Sequence, residues 1–134
     1  SAASDVYKRQ GKKFSGVRNL LERIPEMLEE HEPIPSLLHG DLWGGNASFD
    51  ENDQPVVFDP ATYFGDRETD LAFTEMFGGF SSELYHAYEE SWPLAGGYER
   101  RKRLYNLYHE LNHFNLFGGS YGNQAQATIQ FLIS

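Results

Sequence analysis

The 134-residue chain contains no cysteine, which excludes a disulfide framework and any zinc–thiolate site and fits a reducing compartment. Positive charge is also scarce. Eleven Lys and Arg stand against 20 Asp and Glu, for a net charge of −9. Nucleic acids and anionic membranes are bound through Lys/Arg patches, so neither is an expected partner. No apolar run approaches the roughly 18–20 residues of a membrane span, and no signal-peptide pattern opens the chain. These absences point to a cytoplasmic setting. What the chain does have is 40% hydrophobic and 15% aromatic residues, a composition that folds into a globule of one-domain length rather than staying disordered.

The first ten residues, Ser1–Gln10, resemble an in-frame translation of a sequencing-library adapter. They are set aside as non-native, which leaves 11–134 as the domain and makes the chain a fragment. Beyond them, Val17, Leu20, Leu21, Ile24, Met27 and Leu28 keep the spacing of one helical face over 17–30, with a kink or restart expected at Pro25. Glu32-Pro33-Ile34-Pro35 forces an extended connector. Short strands are expected at 47–49 and 55–58, joined by a polar turn into a hairpin. Helices follow over 67–77, over 83–90 with Ser81-Ser82 as cap, over 99–117 and over 123–133. The expected fold class is α+β, mainly α, with one small β-hairpin.

The chemistry concentrates in His39-Gly40-Asp41-Leu42-Trp43-Gly44-Gly45-Asn46, followed by Val56-Val57-Phe58-Asp59. Phosphoryl transfer needs little covalent chemistry from the protein. It needs a carboxylate beside the attacking hydroxyl, and hard oxygen ligands that hold a divalent cation on the nucleotide phosphates. Asp41 fits the first role, and Asn46 with Asp59 fits the second. Each alone reads as a turn or cap residue; the three in this order, with an apolar run leading into the last, do not. The acidic composition does not exclude ATP, because Mg²⁺ would supply the local positive charge.

The neighbours carry plainer expectations. His39 is expected to brace backbone carbonyls, and Gly40, Gly44 and Gly45 to permit tight turns. Trp43 is either a core anchor or a stacking surface for a polyol substrate. Asp70 either accepts backbone hydrogen bonds and braces the loop or is a plain helix N-terminal carboxylate. His109 and His113 lie four apart on one helix, but no acidic base of the His-Glu-x-x-His type accompanies them, so they read as a packed or surface pair. Tyr105, Tyr108, Phe114 and Phe117 read as core, and Glu29-Glu30-His31-Glu32 as a solvated helix end.

The segment Leu37–Asn46 closely resembles the catalytic loop of the fructosamine kinase (ketosamine 3-kinase) family, within the aminoglycoside-phosphotransferase and protein-kinase-like superfamily. The likeness continues through Phe58-Asp59-Pro60-Ala61, Tyr63-Phe64-Gly65-Asp66, Asp70-Leu71-Ala72, Met76–Phe80 and Leu111–Gly118. The resemblance implies that Asp41 is the proton acceptor, that Asn46 and Asp59 bind Mg²⁺, and that ATP is the phosphoryl donor. The implied acceptor is the 3-hydroxyl of a fructosamine or ribulosamine adduct on lysine or a small amine, a step in protein deglycation. An antibiotic- or choline-type small-molecule kinase, or an inactive fragment, is the alternative. Pro60-Ala61 replaces the Phe-Gly that follows this Asp in protein kinases, which speaks against a swinging activation switch. No Gly-rich phosphate loop, strand lysine or partner Glu precedes the catalytic loop, so the chain reads as a kinase-like C-terminal lobe whose partner is the N-terminal lobe of the same protein.

Overall fold

A computed structural model describes residues 14–134; the segment read as non-native, 1–10, lies outside the described residues. The described chain divides into two compact units, one made by residues 14–30 together with Glu99–Ser134, the other by His31–Tyr98. It is mainly helical with small antiparallel sheets. No helix among the described residues is long and apolar enough to cross a membrane.

The first unit is built on helices α1 (Val17–Leu28), α4 (Tyr98–Phe117) and α5 (Ser120–Ile133). Their apolar stripes meet in a core of Phe14, Leu20, Leu107, Leu111, Phe114, Ala125, Ile129 and Leu132. Burying one such Leu, Ile or Phe side chain contributes roughly 1.5–3 kcal/mol. The Phe14 and Phe114 rings meet edge-on at 5.5 Å. At the start of α1, Gly16 has φ +83°, and a Cβ there would lie 2.6 Å from Ile133 Cδ1, so only glycine lets the chain turn this close to α5. Helix α1 runs unbroken through Pro25. Leu21, whose carbonyl loses its helical donor to the proline, lies on the exposed face.

Two expectations for the core fail. Tyr108 and Phe117 are exposed, at 48% and 68%, because the stripe of α4 that faces the core is narrower than its aromatic content suggests. A polar pair is buried in this unit. Glu110 and Thr128 are both buried, and Glu110 hydrogen-bonds Thr128. Desolvation raises the Glu110 pKa to about 6, against smaller opposing effects of Thr128 and Arg103. Glu110 Oε2 has no hydrogen-bond partner among the described residues.

The second unit holds strands β1 (Ser36–Leu38), β2 (Ala47–Phe49), β3 (Pro55–Val57) and β4 (Tyr63–Gly65), then helices α2 (Arg67–Met76) and α3 (Ser82–Ser91). Strands β2 and β3 form the expected hairpin, with Ala47 opposite Val57. The single-hairpin expectation is incomplete, however. Strands β1 and β4 form a second antiparallel pair, Ser36 opposite Gly65 and Leu38 opposite Tyr63. Three residues are too few to show a strand period in sequence. Ser81 precedes α3, but its hydroxyl makes no cap bond. Helix α5 begins at Ser120, three residues before the expected start, because the break at Gly118-Gly119 occupies only those two positive-φ residues.

Candidate active site

Strand β1 delivers the chain to His39, where helix α2 meets it. Asp70, in the first turn of α2, accepts the His39 amide at 2.7 Å on Oδ2 and the Gly40 amide at 3.0 Å on Oδ1. One carboxylate thus satisfies two successive N–H groups, a charge-assisted arrangement stronger than neutral pairing. On the other side, the Ala61 amide donates to His39 O at 2.8 Å. Gly40 turns the loop with φ +86°, and a Cβ on it would lie 2.0 Å from Ala61 O.

The His39 ring has both nitrogens engaged. Nε2 donates to Phe58 O at 2.8 Å, and Nδ1 accepts the Asp41 amide at 3.2 Å. A carbonyl can only accept and an amide can only donate, so these partners select the neutral Nε2–H tautomer. Protonated at Nδ1, the ring would face the Asp41 N–H donor to donor. His39 therefore links Asp41 to the segment that carries Asp59, with no ring nitrogen left over to move protons for a substrate.

Asn46 is buried at the end of a 3₁₀ turn, Gly44–Asn46. Its Nδ2 donates to Asp41 O at 2.9 Å and reaches Asp41 Oδ2 at 3.3 Å, while its backbone oxygen accepts the Phe58 amide at 3.0 Å. Asp59 follows with φ +51°, a left-handed conformation that non-glycine residues adopt at a cost and that clusters at functional sites. Its carboxylate is exposed and makes no hydrogen bond among the described residues. Asp41 and Asn46 are thus in direct contact, and the backbone on either side of Asp59 is tied to Asn46 and His39. With Nδ2 committed to Asp41, Asn46 Oδ1 is the atom left for a cation. That atom and the Asp59 carboxylate are each hard oxygen donors of the kind Mg²⁺ prefers.

Trp43 is 42% exposed, more than a core anchor would be. Its indole meets Phe77 edge-on at 6.4 Å, and Phe77 meets Phe73 at 5.8 Å. In the first unit, His113 Nδ1 donates to His109 O at 2.7 Å, and the His113 ring tilts against Tyr121 at 5.4 Å.

One residue of this region departs from its sequence expectation. His31 lies in the run expected to be a solvated helix end, yet its side chain is only 9% exposed and its Nε2 lies 2.6 Å from Asp66 Oδ2. Asp66 is the N-cap of α2, accepting the Glu68 amide at 3.0 Å. The only sequence signal was the single non-acidic residue in that run.

The chain matches the fructosamine kinase family over residues 2–134. It is 51% identical over 129 residues to a Vibrio parahaemolyticus protein named probable ketoamine kinase, an alignment covering 96% of this chain and 44% of that protein. It is 47% identical over 116 residues to mouse ketosamine-3-kinase, covering 81% of this chain and 37% of the mouse protein. Among solved structures, a Haemophilus somnus 129PT protein named as a candidate fructosamine-3-kinase superposes with a TM-score of 0.85 at 34% identity, covering 98% of this chain and 45% of the other. The chain therefore spans less than half the length of these relatives.

Proposed function

The chain belongs to the fructosamine kinase family, and we propose that it is the kinase-like C-terminal lobe, residues 11–134, of an ATP-dependent kinase acting on the 3-hydroxyl of ketosamines. The observation that carries this reading is the contact between Asp41 and Asn46, with the strained Asp59 on a segment tied to Asn46 and His39. One oxygen-bearing side chain can face an alcohol while two others face a cation. Similar proteins named ketosamine-3-kinase in mouse and protein-ribulosamine 3-kinase in Arabidopsis support the substrate class.

In this reading, Asp41 orients the acceptor hydroxyl and takes its proton as the new phosphorus–oxygen bond forms and the bond to the departing ADP breaks. His39 and Asp70 hold the loop that carries Asp41. Asn46 Oδ1 and Asp59 would hold Mg²⁺, which would neutralise the phosphate oxygens when bound. The exposed indole of Trp43 offers an apolar face to the sugar. The acceptor is a small-molecule or protein-bound ketosamine, and the remaining partner is the N-terminal lobe of the same protein. That lobe would carry the groups that grip ATP, so the chain alone is inactive and binds ATP weakly. Exposed Leu37, Phe64, Phe49 and Val57, at 64%, 72%, 69% and 60%, form apolar edges of the kind that a further lobe covers.

The test is Asp41→Asn in a protein completed to the length of its relatives, assayed against several glycated amines. Turnover is expected to fall about 10²–10⁴-fold, the usual worth of a positioned general base, with circular dichroism unchanged. Near-native turnover would remove Asp41 from this role, and phosphorylation confined to aminoglycosides or choline would replace the substrate class.

A further inference from the structure

We infer that His31 is a positioning residue that pins the strand delivering the candidate base. For its activity arm, this rests on the kinase reading above.

The β1–β4 pair is three residues long on each side, and a two-stranded ribbon of that size is marginal on its own. Its register nevertheless matters. A slip by one residue would turn Leu38, 2% exposed, away from the interior and carry His39 and Asp41 with it. Restraints at the two ends of the pair resist that slip. At the Leu38 end, Asp70 holds the His39 and Gly40 amides. At the Ser36 end the ladder stops at Gly65, and the next residue, Asp66, takes His31 Nε2 at 2.6 Å.

Between His31 and β1 lie Glu32-Pro33-Ile34-Pro35, a connector whose prolines hold it extended and stiff. Fixing His31 therefore fixes where β1 begins. Asp66 is itself immobilised. Its Oδ1 accepts the Glu68 amide, and its backbone oxygen accepts Thr69 Oγ1 at 2.7 Å. Thr69 Oγ1 in turn lies 3.3 Å from Tyr63 OH, and Tyr63 is the partner of Leu38. His31, Asp66, α2 and Asp70 thus form a continuous brace around β1.

Glu68 Oε2 stands 3.6 Å from His31 Nε2, which gives the cluster the composition of a metal site. The geometry argues otherwise. Two ligands of one tetrahedral ion with bonds of about 2.0–2.1 Å lie roughly 3.3 Å apart, whereas the 2.6 Å between His31 and Asp66 is a hydrogen bond to a carboxylate.

The experiment compares His31→Leu with His31→Gln, whose amide N–H can stand where Nε2–H stood, in the completed protein. His31→Leu is expected to lower kcat about 10- to 100-fold, the scale of an ångström-sized misplacement, with KM for ATP and ketosamine within about two-fold. Amide exchange at His39 and Gly40 should accelerate at least about ten-fold as the brace opens. His31→Gln should restore both readouts to within about three-fold. Should His31→Leu fail to fold, His31→Asn replaces it, since its shorter amide cannot span the gap and should share the defect. Unchanged kcat and exchange in His31→Leu would overturn the inference. So would a folded His31→Gln as impaired as His31→Leu. If the parent protein phosphorylates no ketosamine, the kinase reading fails, and the exchange measurement still decides the brace.

Discussion

Replacing Gly40 by alanine isolates the tightest point of the catalytic loop. The new Cβ would stand 2.0 Å from Ala61 O and 2.8 Å from Ala61 C. Ordinary contact begins near 3.4 Å, so the two loop segments must separate by about 1.4 Å at that point. Neither neighbour is a flexible side-chain tip; both are backbone. Separation breaks the Ala61 amide bond to His39 O, worth about 1 kcal/mol, and draws the Gly40 amide from Asp70, worth about 1.5–3 kcal/mol. Holding alanine at φ +86° adds roughly 1–2 kcal/mol. Partial relaxation trims the sum, leaving a loss of about 3–5 kcal/mol. The same molecule supplies the control. Gly78 has φ +71° and open space around its would-be Cβ, so Gly78→Ala should cost only the backbone term of roughly 1–2 kcal/mol. Guanidinium denaturation of both variants gives the comparison. In the completed enzyme, turnover of the Gly40 variant should drop at least about 100-fold. Equal destabilisation by the two substitutions would refute the reasoning, since it would mean the Ala61 contact constrains nothing.

Two further outcomes follow from strain and from burial. Asp59→Gly relieves the left-handed φ of +51° and should stabilise the fold by up to about 1 kcal/mol in thermal unfolding, while abolishing metal-dependent turnover; a destabilised variant would show that the Asp59 side chain holds structure. Glu110 binds its proton more tightly folded, at about 6 against 4.5 unfolded, so the unfolded chain releases a proton that the native one keeps. Its contribution to stability is therefore fully present below pH 4.5 and is lost as pH rises through 6, by about 2 kcal/mol in all. Glu110→Gln should remove that slope and gain stability of this order at pH 7.5, and identical pH profiles for the two proteins in urea would contradict it.

The parts of the fold that sequence made legible are those with long periods or rigid punctuation. Helices 17–28, 67–76 and 98–117 show apolar spacing over about three turns or more, and the hairpin at 47–57 is joined by a run of turn formers. The β1–β4 ladder was hidden because 24 residues separate its three-residue strands, between Leu38 and Tyr63, with no local signal linking them. Tyr108 and Phe117 misled for a different reason. An aromatic side chain announces apolar surface, but which residues of a 20-residue helix face inward depends on where the neighbouring helices cross it. In the candidate site, residue types and order pointed to Asp41, Asn46 and Asp59, whereas the tautomer of His39 and the partner of His31 are set by carbonyls and carboxylates supplied from distant turns.

Trp43 rests against the backbone of Gly45 so closely that a methyl group there would lie 2.2 Å from the indole. The ring's floor is thus made by a missing side chain, and Phe77 closes one edge. A flat guest arriving at that rim meets a surface whose tilt is already set, so little rotameric freedom remains to be surrendered when the two come together.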